Sequence, residues 1–454
     1  MQDKSVNGKK ALVYLAAFTA MVRLPVITAF MGLISFPAMS DELDDLKSQL
    51  AELSRKVEHL EQLKKQETLT VEETIPAETL VTAGEVPGSW KIPGTDTSMR
   101  IDGFIRAHMI YDIGPRPTST GGDVASIRSA ILEGTPEFEN RGDVRIAGRD
   151  ARFNIATYTP TRFGRMYTFI QGDFKGDPDN KGSRATTNRT AFTLRHAYGE
   201  LGNFLFGQTY SNYLDNSVFP DKVDPTGPVG RTMVRQGQIR YTHHLSNDSE
   251  FAVALENPRG DFHDADDNNL DDSYPDLTMH YRYETDRWLY QFSGMLRRIG
   301  IKDTLIGADD EVMGWALNHS GMFLLPGSED RITWYINSGD GIGRYLEGGP
   351  DLGASVGVDG NLDTQFGYGG FVTYKHWWTD NLQSNLDFGI SFFDLNPDED
   401  PEANSKLYSS HINLIWTPIE QLEFGLEYVW GHREVHDGRE GNVNRIHVNS
   451  VFYF

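Results

Sequence analysis

The chain ends with the stretch NRIHVNSVFYF, residues 444–454, and the alternation in this stretch decides the fold. Successive side chains of a β-strand point to opposite faces. One face of this strand carries Ile446, Val448, Phe452 and Phe454. The other face carries Arg445, His447, Asn449 and Tyr453. A soluble sheet rarely exposes such an edge because it invites aggregation, so the stretch favours the closing strand of a membrane barrel over the edge strand of a soluble sandwich.

The composition is compatible with one large barrel. The 454 residues have a net charge of -23, and the mean hydropathy is -0.45. Transmembrane barrels are hydrophilic on average because only every second residue meets lipid, and no run long enough for a spanning helix follows the N-terminal region. The absence of cysteine from the sequence excludes disulfides, thiol catalysis and thiolate metal sites. The acidic balance argues against nucleic acid as a partner.

Residues 1–40 have the organisation of a secretory signal peptide. Three lysines precede an apolar stretch, and Ala38-Met39-Ser40 forms a small-x-small cleavage site before Asp41. A start at Met21 would place Arg23 in the charged segment before the apolar core instead of inside that core. The alternative is an uncleaved signal anchor.

Residues 41–66 carry an apolar repeat with the 3-4 spacing of a coiled coil. Its members are Leu43, Leu46, Leu50, Leu53, Val57 and Leu60. We predict an α-helical coiled coil in the periplasm, and the alternative is a single amphipathic helix lying on the protein. Residues 67–89 lack periodicity and are predicted to form a flexible periplasmic linker.

Residues 90–454 predict a 16-stranded antiparallel transmembrane β-barrel. The predicted strands are 98–113, 144–158, 164–176, 190–202, 203–209, 231–245, 248–257, 275–285, 287–299, 311–325, 330–338, 364–379, 381–396, 405–417, 421–433 and 444–454. The links after even-numbered strands are short, as at 202–203 and 379–380, whereas those after odd-numbered strands are longer, as at 210–230 and 339–363. Short turns at one rim and long loops at the other are typical of outer-membrane barrels.

The charged rows of these strands must face the lumen, because a charge facing lipid at mid-depth costs roughly 2–4 kcal/mol. A barrel of this size encloses water and is therefore a pore. The predicted basic lining consists of Arg100, Arg106, His108, Arg152, Arg195, Arg240, Arg282, Arg297, Lys375, Arg433 and Arg445. Such a wall favours anions and holds carboxylates through bidentate hydrogen bonds. The alternative is that each arginine pairs with an inward acid and only stiffens the wall.

The segment 210–230, YSNYLDNSVFPDKVDPTGPVG, follows the fifth predicted strand. Its three prolines and two glycines suggest a shaped loop, and loops of this length are usually functional or disordered. In large porins the loop at this place in the strand order folds inward and narrows the pore. The segment would then bring Asp215, Asp221, Lys222 and Asp224 opposite the basic wall, and the alternative is an external loop.

No motif in the sequence predicts an enzyme, a metal site or a cofactor. An acidic loop at 264–272 contains Asp264, Asp266, Asp267, Asn268, Asp271 and Asp272, but it lacks the placed glycine and closing glutamate of a calcium-binding EF-hand loop. No G-x-S-x-G or H-E-x-x-H motif occurs. The doublet His243-His244 lies alone beside a predicted turn.

The chain resembles the DcaP-like trimeric outer-membrane porins of Gram-negative bacteria. The motifs are the heptads at 43–60, the entry segment WKIPGTDTSMRIDGFIRAHMIYD at 90–112 and RHAYGELGNFLFGQTYSNYLD at 195–215. The run RQGQIRY at 235–241 adds to them. The resemblance implies an outer-membrane homotrimer with a periplasmic coil, in contact with lipid and lipopolysaccharide, that passes small organic anions such as dicarboxylates. Phe454 resembles the terminal signal read by the barrel-insertion machinery.

Two other functions fit the same sequence. One is a general porin of weak selectivity. The other is a structural protein that tethers the envelope layers through its coil and has an incidental pore.

Overall fold

The computed structural model describes residues 47–63, 81–117, 125–176, 191–262, 271–303, 308–357 and 360–454. The predicted signal peptide, residues 41–46 and 64–66 of the predicted coil, residues 67–80 of the predicted linker and positions 264–270 of the acidic loop lie outside these residues. The chain divides into two compact units, Met1–Leu80 and Val81–Phe454.

In the first unit, residues 47–63 form an α-helix. Its apolar positions Leu50, Leu53, Val57 and Leu60 are all exposed. Lys56 and Glu52 form an ion pair of 2.8 Å one helical turn apart on the same helix. The helix is present where the heptad repeat predicts one, and its association with other chains stays a prediction. Among the described residues, no helix is both long enough and apolar enough to span a membrane.

The described residues of the second unit form twenty strands. Their bounds are β1 (Trp90–Lys91), β2 (Ser98–Asp112), β3 (Asp143–Ala147), β4 (Arg152–Thr161), β5 (Gly164–Gly176), β6 (Ala191–Leu201), β7 (Phe204–Tyr210), β8 (Arg235–His244), β9 (Ser249–Glu256), β10 (Asp276–Glu284), β11 (Trp288–Asp303), β12 (Ala308–Leu324), β13 (Arg331–Asp340), β14 (Ala354–Val356), β15 (Leu362–Thr364), β16 (Phe366–Thr379), β17 (Leu382–Asp394), β18 (Asn404–Ile419), β19 (Leu422–Val435) and β20 (Glu440–Tyr453). Short 3-10 helices lie at Ile127–Ser129, Pro136–Glu139 and Gly343–Tyr345.

These strands close into an antiparallel barrel with sixteen positions, which confirms the predicted number. The strands β3 and β4 pair with successive parts of β2 and together fill one position. The short strand β1 extends the sheet beside β2, and β14 pairs with β15 apart from the barrel.

Closure depends on the two ends of the barrel sequence. Strand β20 pairs with β2 from Phe104↔Tyr453 to Asp112↔Arg445. Phe454 extends this ladder, because its backbone N–H donates to Gly103 O and its carbonyl accepts from Gly103 N, both at 3.1 Å. A side chain at Gly103 would meet the Arg152 carbonyl oxygen at 2.2 Å, so this crowded seam requires a glycine. The C-terminal stretch is therefore the closing strand that its alternation predicts.

The second predicted strand, 144–158, is interrupted in the structure. Residues 148–151 leave the sheet between β3 and β4, and Asp150 in this interruption is completely buried. Its carboxylate lies 2.7 Å from Arg106 and 2.8 Å from Lys175. A continuous strand would not place the Asp150 carboxylate beside both Arg106 and Lys175. The two ion pairs therefore account for the interruption between β3 and β4. The last strand also begins earlier than predicted, at Glu440.

The two faces of the barrel differ in polarity as the alternation predicts. On β19, Phe424, Leu426 and Tyr428 are exposed on the outer face, whereas Glu427 on the inner face is fully buried. The same alternation holds on β20, where Val448 is exposed between the buried His447 and Asn449. The outer face is therefore apolar and suited to lipid, and the charged groups lie inside.

Candidate functional site

The segment between β7 and β8, residues 211–234, folds into the barrel and reaches the far wall. We call it the inward loop. Its Val223 N donates to Glu427 Oε2 at 2.9 Å on β19, and its Val229 N donates to Ser409 Oγ at 3.0 Å on β18. The Tyr213 hydroxyl donates a hydrogen bond to Asn337 on β13. Because β7 and these strands occupy different sides of the barrel, the inward loop crosses the interior.

Ion pairs attach the inward loop to the wall. Lys222 Nζ lies 2.8 Å from Asp387 and 3.8 Å from Glu427. Asp221 lies 2.7 Å from Lys375 Nζ. Asp215 lies 3.2 Å from Arg282. The loop residues therefore meet acids as well as bases on the wall.

Asp224 of the inward loop contacts the wall through a carboxylate that is enclosed on all sides. Its carboxylate is completely buried and lies 3.3 Å from His447 Nδ1 and 3.5 Å from Arg445. The backbone N–H of Ala125 donates to the same carboxylate at 2.7 Å. His447 in turn contacts His108, with their ring nitrogens 2.7 Å apart. One loop carboxylate thus connects the segment at 125–132, the closing strand and the first strand of the barrel.

A cavity of about 330 Å³ remains beside the inward loop, and we call it the basic cavity. Among the described residues that line it, five are cations and two are acids. The cations are Arg106, Arg152, Arg195, Lys222 and Arg231. The acids are Asp221 and Glu423. Most of the charged groups that line the cavity are therefore basic, at the place where the inward loop narrows the barrel.

The cations of the basic cavity differ in how firmly they are paired. Arg106 and Arg195 each lie 2.7 Å from a buried carboxylate, Asp150 and Asp173 respectively. Arg152 lies 3.8 Å from Asp150, and its guanidinium stands 5.3 Å from the centre of the Phe104 ring. Its side chain is 24% exposed. Compared with Arg106 and Arg195, Arg152 therefore has the weaker contact with an acid and is more accessible to a solute.

The remaining predicted basic residues lie in the wall with partners of their own. Arg297 and Arg445 are fully buried and pair with Asp261 at 2.6 Å and Asp112 at 2.7 Å. The other contacts are Arg100 with Asp102 at 2.7 Å, Arg282 with Glu284 at 2.7 Å, Arg240 with Gln238 at 2.9 Å and Arg433 with Asn404 at 2.7 Å. Arg297, Arg445, Arg100 and Arg282 thus pair with acids, whereas Arg240 and Arg433 donate to amide oxygens.

An aromatic row lies on the inner wall below the basic cavity. Its successive ring centres are 4.9 to 6.1 Å apart, and its members in order are Tyr210, His196, Phe169, Tyr198, Tyr167 and Tyr158. Two of these tyrosines also line a second cavity of about 450 Å³ near the short turns. This row is absent from the predicted lining, although Tyr167 and Phe169 alternate with outward residues in the predicted strand 164–176. Arg231 is also absent from the predicted basic lining; it falls at the start of the predicted strand 231–245, whereas the structure places it in the inward loop.

Comparisons with known proteins agree with this architecture. A crystal structure of the outer membrane channel DcaP of Acinetobacter baumannii has a TM-score of 0.68 and 22% identity, covering 83% of this chain and all of that one. The anion-selective porin of Comamonas acidovorans has a TM-score of 0.51 and 7% identity, covering 79% of this chain and all of that one. At these identities the likeness concerns the fold alone.

Sequence relatives are porins and not enzymes, in agreement with the prediction. Porin Omp2b of Brucella suis is 28% identical over 179 residues, which are 37% of this chain and 40% of that protein. Porin Omp2a of Brucella ovis is 28% identical over 185 residues, 46% of its length. The chain therefore spans less than half of the curated relatives that it matches.

The family model described as DcaP outer membrane protein matches residues 81–454, which is most of the chain and the whole barrel unit. The resemblance noted in the entry segment and in the stretch before the inward loop is thereby confirmed. The chain belongs to the DcaP outer membrane protein family.

Proposed function

We propose that the protein is an outer-membrane porin that lets small anionic solutes such as dicarboxylates diffuse passively through the barrel. The observation that carries this proposal is the basic cavity, where five cations face two acids beside the inward loop. Solute that passes the inward loop meets this charge at close range. Arginine and lysine lower the electrostatic barrier for anions, and guanidinium groups bind carboxylates through two parallel hydrogen bonds.

The overall charge of -23 does not oppose this proposal. Much of the acid lies in the long loops or is paired in the wall, as with Asp261, Asp173 and Asp112. Exposed charges farther from the pore than about 8–10 Å are largely screened at physiological ionic strength. The charge of the narrow region therefore decides which ions pass.

Reversal potentials in a salt gradient test this proposal. We expect purified protein in a planar bilayer, with potassium chloride at unequal concentrations on the two sides, to show a reversal potential of the sign set by chloride. Adding a dicarboxylate such as succinate should reduce the chloride current in a concentration-dependent way. A reversal potential near zero would identify a general porin, and one of the opposite sign would refute anion preference.

We further propose that three chains assemble, with the N-terminal helices joined as a coil in the periplasm. The exposed leucine row of the helix 47–63 supports this, because an apolar stripe at 3-4 spacing is stabilised by packing against another helix. About three heptads are marginally stable alone, so the barrel must supply most of the contact between chains. Insertion through the terminal Phe454 and contact with lipopolysaccharide belong to the same proposal.

Deletion of residues 41–66 distinguishes the channel function from the envelope-tethering function. We expect the single-channel conductance to remain within about 20% of the full-length value, because the helix is not part of the barrel unit that forms the pore. The measurement is planar-bilayer recording of both proteins under the same conditions. An envelope defect in cells that carry the deletion, with unchanged conductance, would instead support the tethering role.

A further inference from the structure

The aromatic row joins two cavities of the inner wall. At one end Tyr210 lines the basic cavity, and at the other end Tyr158 and Tyr167 line the second cavity near the short turns. The cavities have volumes of about 330 and 450 Å³, which lie in the range of about 300–1,000 Å³ that small-molecule sites occupy. The row therefore borders the way from the basic cavity to the short turns.

The register of β4, β5 and β6 brings the rings together. Tyr158 is paired directly across the sheet with Tyr167, and Phe169 is paired directly with Tyr198. Side chains that oppose each other in this way are in contact. Tyr167 and Phe169 stand two positions apart on β5, so both face the lumen, and their ring planes differ by only 16°. The sheet thus presents the rings as one continuous surface.

The middle of the aromatic row is accessible from the lumen. Phe169 and Tyr198 are only half-buried. Their partners on the flanking strands are small, because Ala156 is paired with Phe169 and Gly207 is paired with Tyr198. A side chain at Gly207 would meet the Ala197 carbonyl oxygen at 2.3 Å, so this position requires a glycine. The two flanking positions therefore place no large side chain over the two rings.

The aromatic row also carries hydroxyl groups. Four of its six members are tyrosines, each of which offers an apolar ring and a polar tip. The hydroxyls of Tyr167 and Tyr198 are hydrogen-bonded to each other. Since a hydroxyl has one proton and two lone pairs, this pair keeps one proton and further lone pairs for a solute. The row therefore suits a solute that has an apolar face and hydroxyl groups at its edge.

The two ends of the aromatic row differ in charge. Most charged groups that line the basic cavity are cations. The described lining of the second cavity includes one cation and one acid, Arg165 and Glu200, and Arg165 also lies 3.6 Å from Glu85. A carboxylate is therefore favoured at one end of the row and not at the other. A solute that lies along the row thus has one charged end and one uncharged polar end.

The basic cavity and the accessible rings are close enough for one solute. Arg195 lines the cavity, and its Nε donates to Gln171 Oε1 at 3.2 Å. Gln171 stands two positions from Phe169 on the same face of β5, and two positions of a strand span about 7 Å. A solute whose carboxylate meets a guanidinium of the cavity can therefore place an attached ring over Phe169 and Tyr198.

We propose that the aromatic row binds the pyranose ring of sugar acids, such as hexuronates, whose carboxylate lies in the basic cavity. One face of a pyranose ring consists of C–H groups, which pack against aromatic rings, and its hydroxyls lie at the edge, where tyrosine can bond them. The carboxylate accepts hydrogen bonds from guanidinium groups. This inference rests on the proposed porin function and adds a class of solute to it.

Block of the ionic current by matched sugar acids tests the site, with the full-length protein in a planar bilayer of potassium chloride. D-glucuronate and D-gluconate have the same carbon number and the same charge, but only glucuronate closes into a pyranose ring. We expect glucuronate to halve the current at a concentration roughly fivefold lower than gluconate, because only the ring packs against the aromatic row. Benzoate, a ring without hydroxyls, should block less strongly than glucuronate.

Variants of the aromatic row locate the effect. Tyr167→Leu and Tyr198→Leu each remove a flat ring and a hydroxyl, and each should reduce the ratio of the two blocking concentrations to less than about twofold. Phe206→Leu is the matched control, because Phe206 is an aromatic residue on the outer face of β7 and is 52% exposed. This control should keep the ratio of the parent protein.

The outcomes decide the proposal. Folding of each variant is checked by the shift of unheated protein in electrophoresis, and two separate variants of the row keep the test valid if one fails to fold. Equal block by glucuronate and gluconate in the parent would overturn the site, as would a stronger block by benzoate or a ratio that persists in both row variants. Anion preference is measured separately by the reversal potential, because the ratio compares two anions of equal charge.

Discussion

Replacing the inward loop, residues 211–234, with a short glycine–serine turn will increase the single-channel conductance, roughly threefold or more, and will remove most of the selectivity among ions. The loop crosses the interior from β7 to β18 and β19, as the bonds of Val223 to Glu427 and of Val229 to Ser409 show. A barrel of sixteen strands is too wide for side chains to fill, so the loop is what narrows it. Conductance and selectivity both depend on the narrowest section of a pore.

A graded variant and a control accompany this replacement. Lys222→Met keeps the loop but removes its ion pairs with Asp387 and Glu427, and it should produce larger current fluctuations with a smaller change in mean conductance. Replacing residues 436–439, the short turn between β19 and β20, is the matched control and should leave the conductance unchanged. Planar-bilayer recording of all three proteins is the measurement. Unchanged conductance after loop replacement would show that the narrow section lies elsewhere.

Much of the barrel was predictable because its strands repeat one physical rule. Alternation of side chains fixes which residues meet lipid, so segments such as 421–433 and 444–454 could be assigned to strands and to faces. The order of short and long links then gave the number of strands and indicated which link would fold inward. The assignment of strands and faces needs only neighbouring residues along the chain, whereas the prediction of the inward-folding link also uses its likeness to the corresponding loop of large porins.

The partners of the inward charges could not be predicted in the same way. Arg297 pairs with Asp261, a residue in a long link, and Arg195 faces inward beside His196 only because the pairing of β5 and β6 shifts register there. The burial of Asp150 requires an interruption of the strand at residues 148–151, and no pattern in the local sequence predicts this interruption. Such contacts depend on loop paths and register, which span distant parts of the chain.

Arg152→Gln should change ion selectivity, and Arg297→Gln should lower stability. The reason is that Arg152 lines the basic cavity, whereas Arg297 is buried in the wall. Arg152 is partly exposed and lies 3.8 Å from Asp150, a carboxylate that Arg106 and Lys175 also neutralise. Its removal should therefore shift the reversal potential toward that of a less selective pore while the stability stays within about 0.5 kcal/mol.

Arg297 has no exposed surface, and its guanidinium lies 2.6 Å from the buried Asp261. Arg297→Gln leaves Asp261 with the backbone N–H donors of Arg344 and Asp351 but without a cation. Breaking one partner of a buried pair costs roughly 3–5 kcal/mol, so the variant should unfold at lower denaturant concentration. Its reversal potential should stay close to that of the parent, because Asp261 is buried and neither residue lines the basic cavity. The two variants are compared by reversal potential and by guanidinium unfolding in detergent. If Arg297→Gln changed selectivity and Arg152→Gln did not, the charge that attracts anions would belong to the wall pairs and not to the basic cavity.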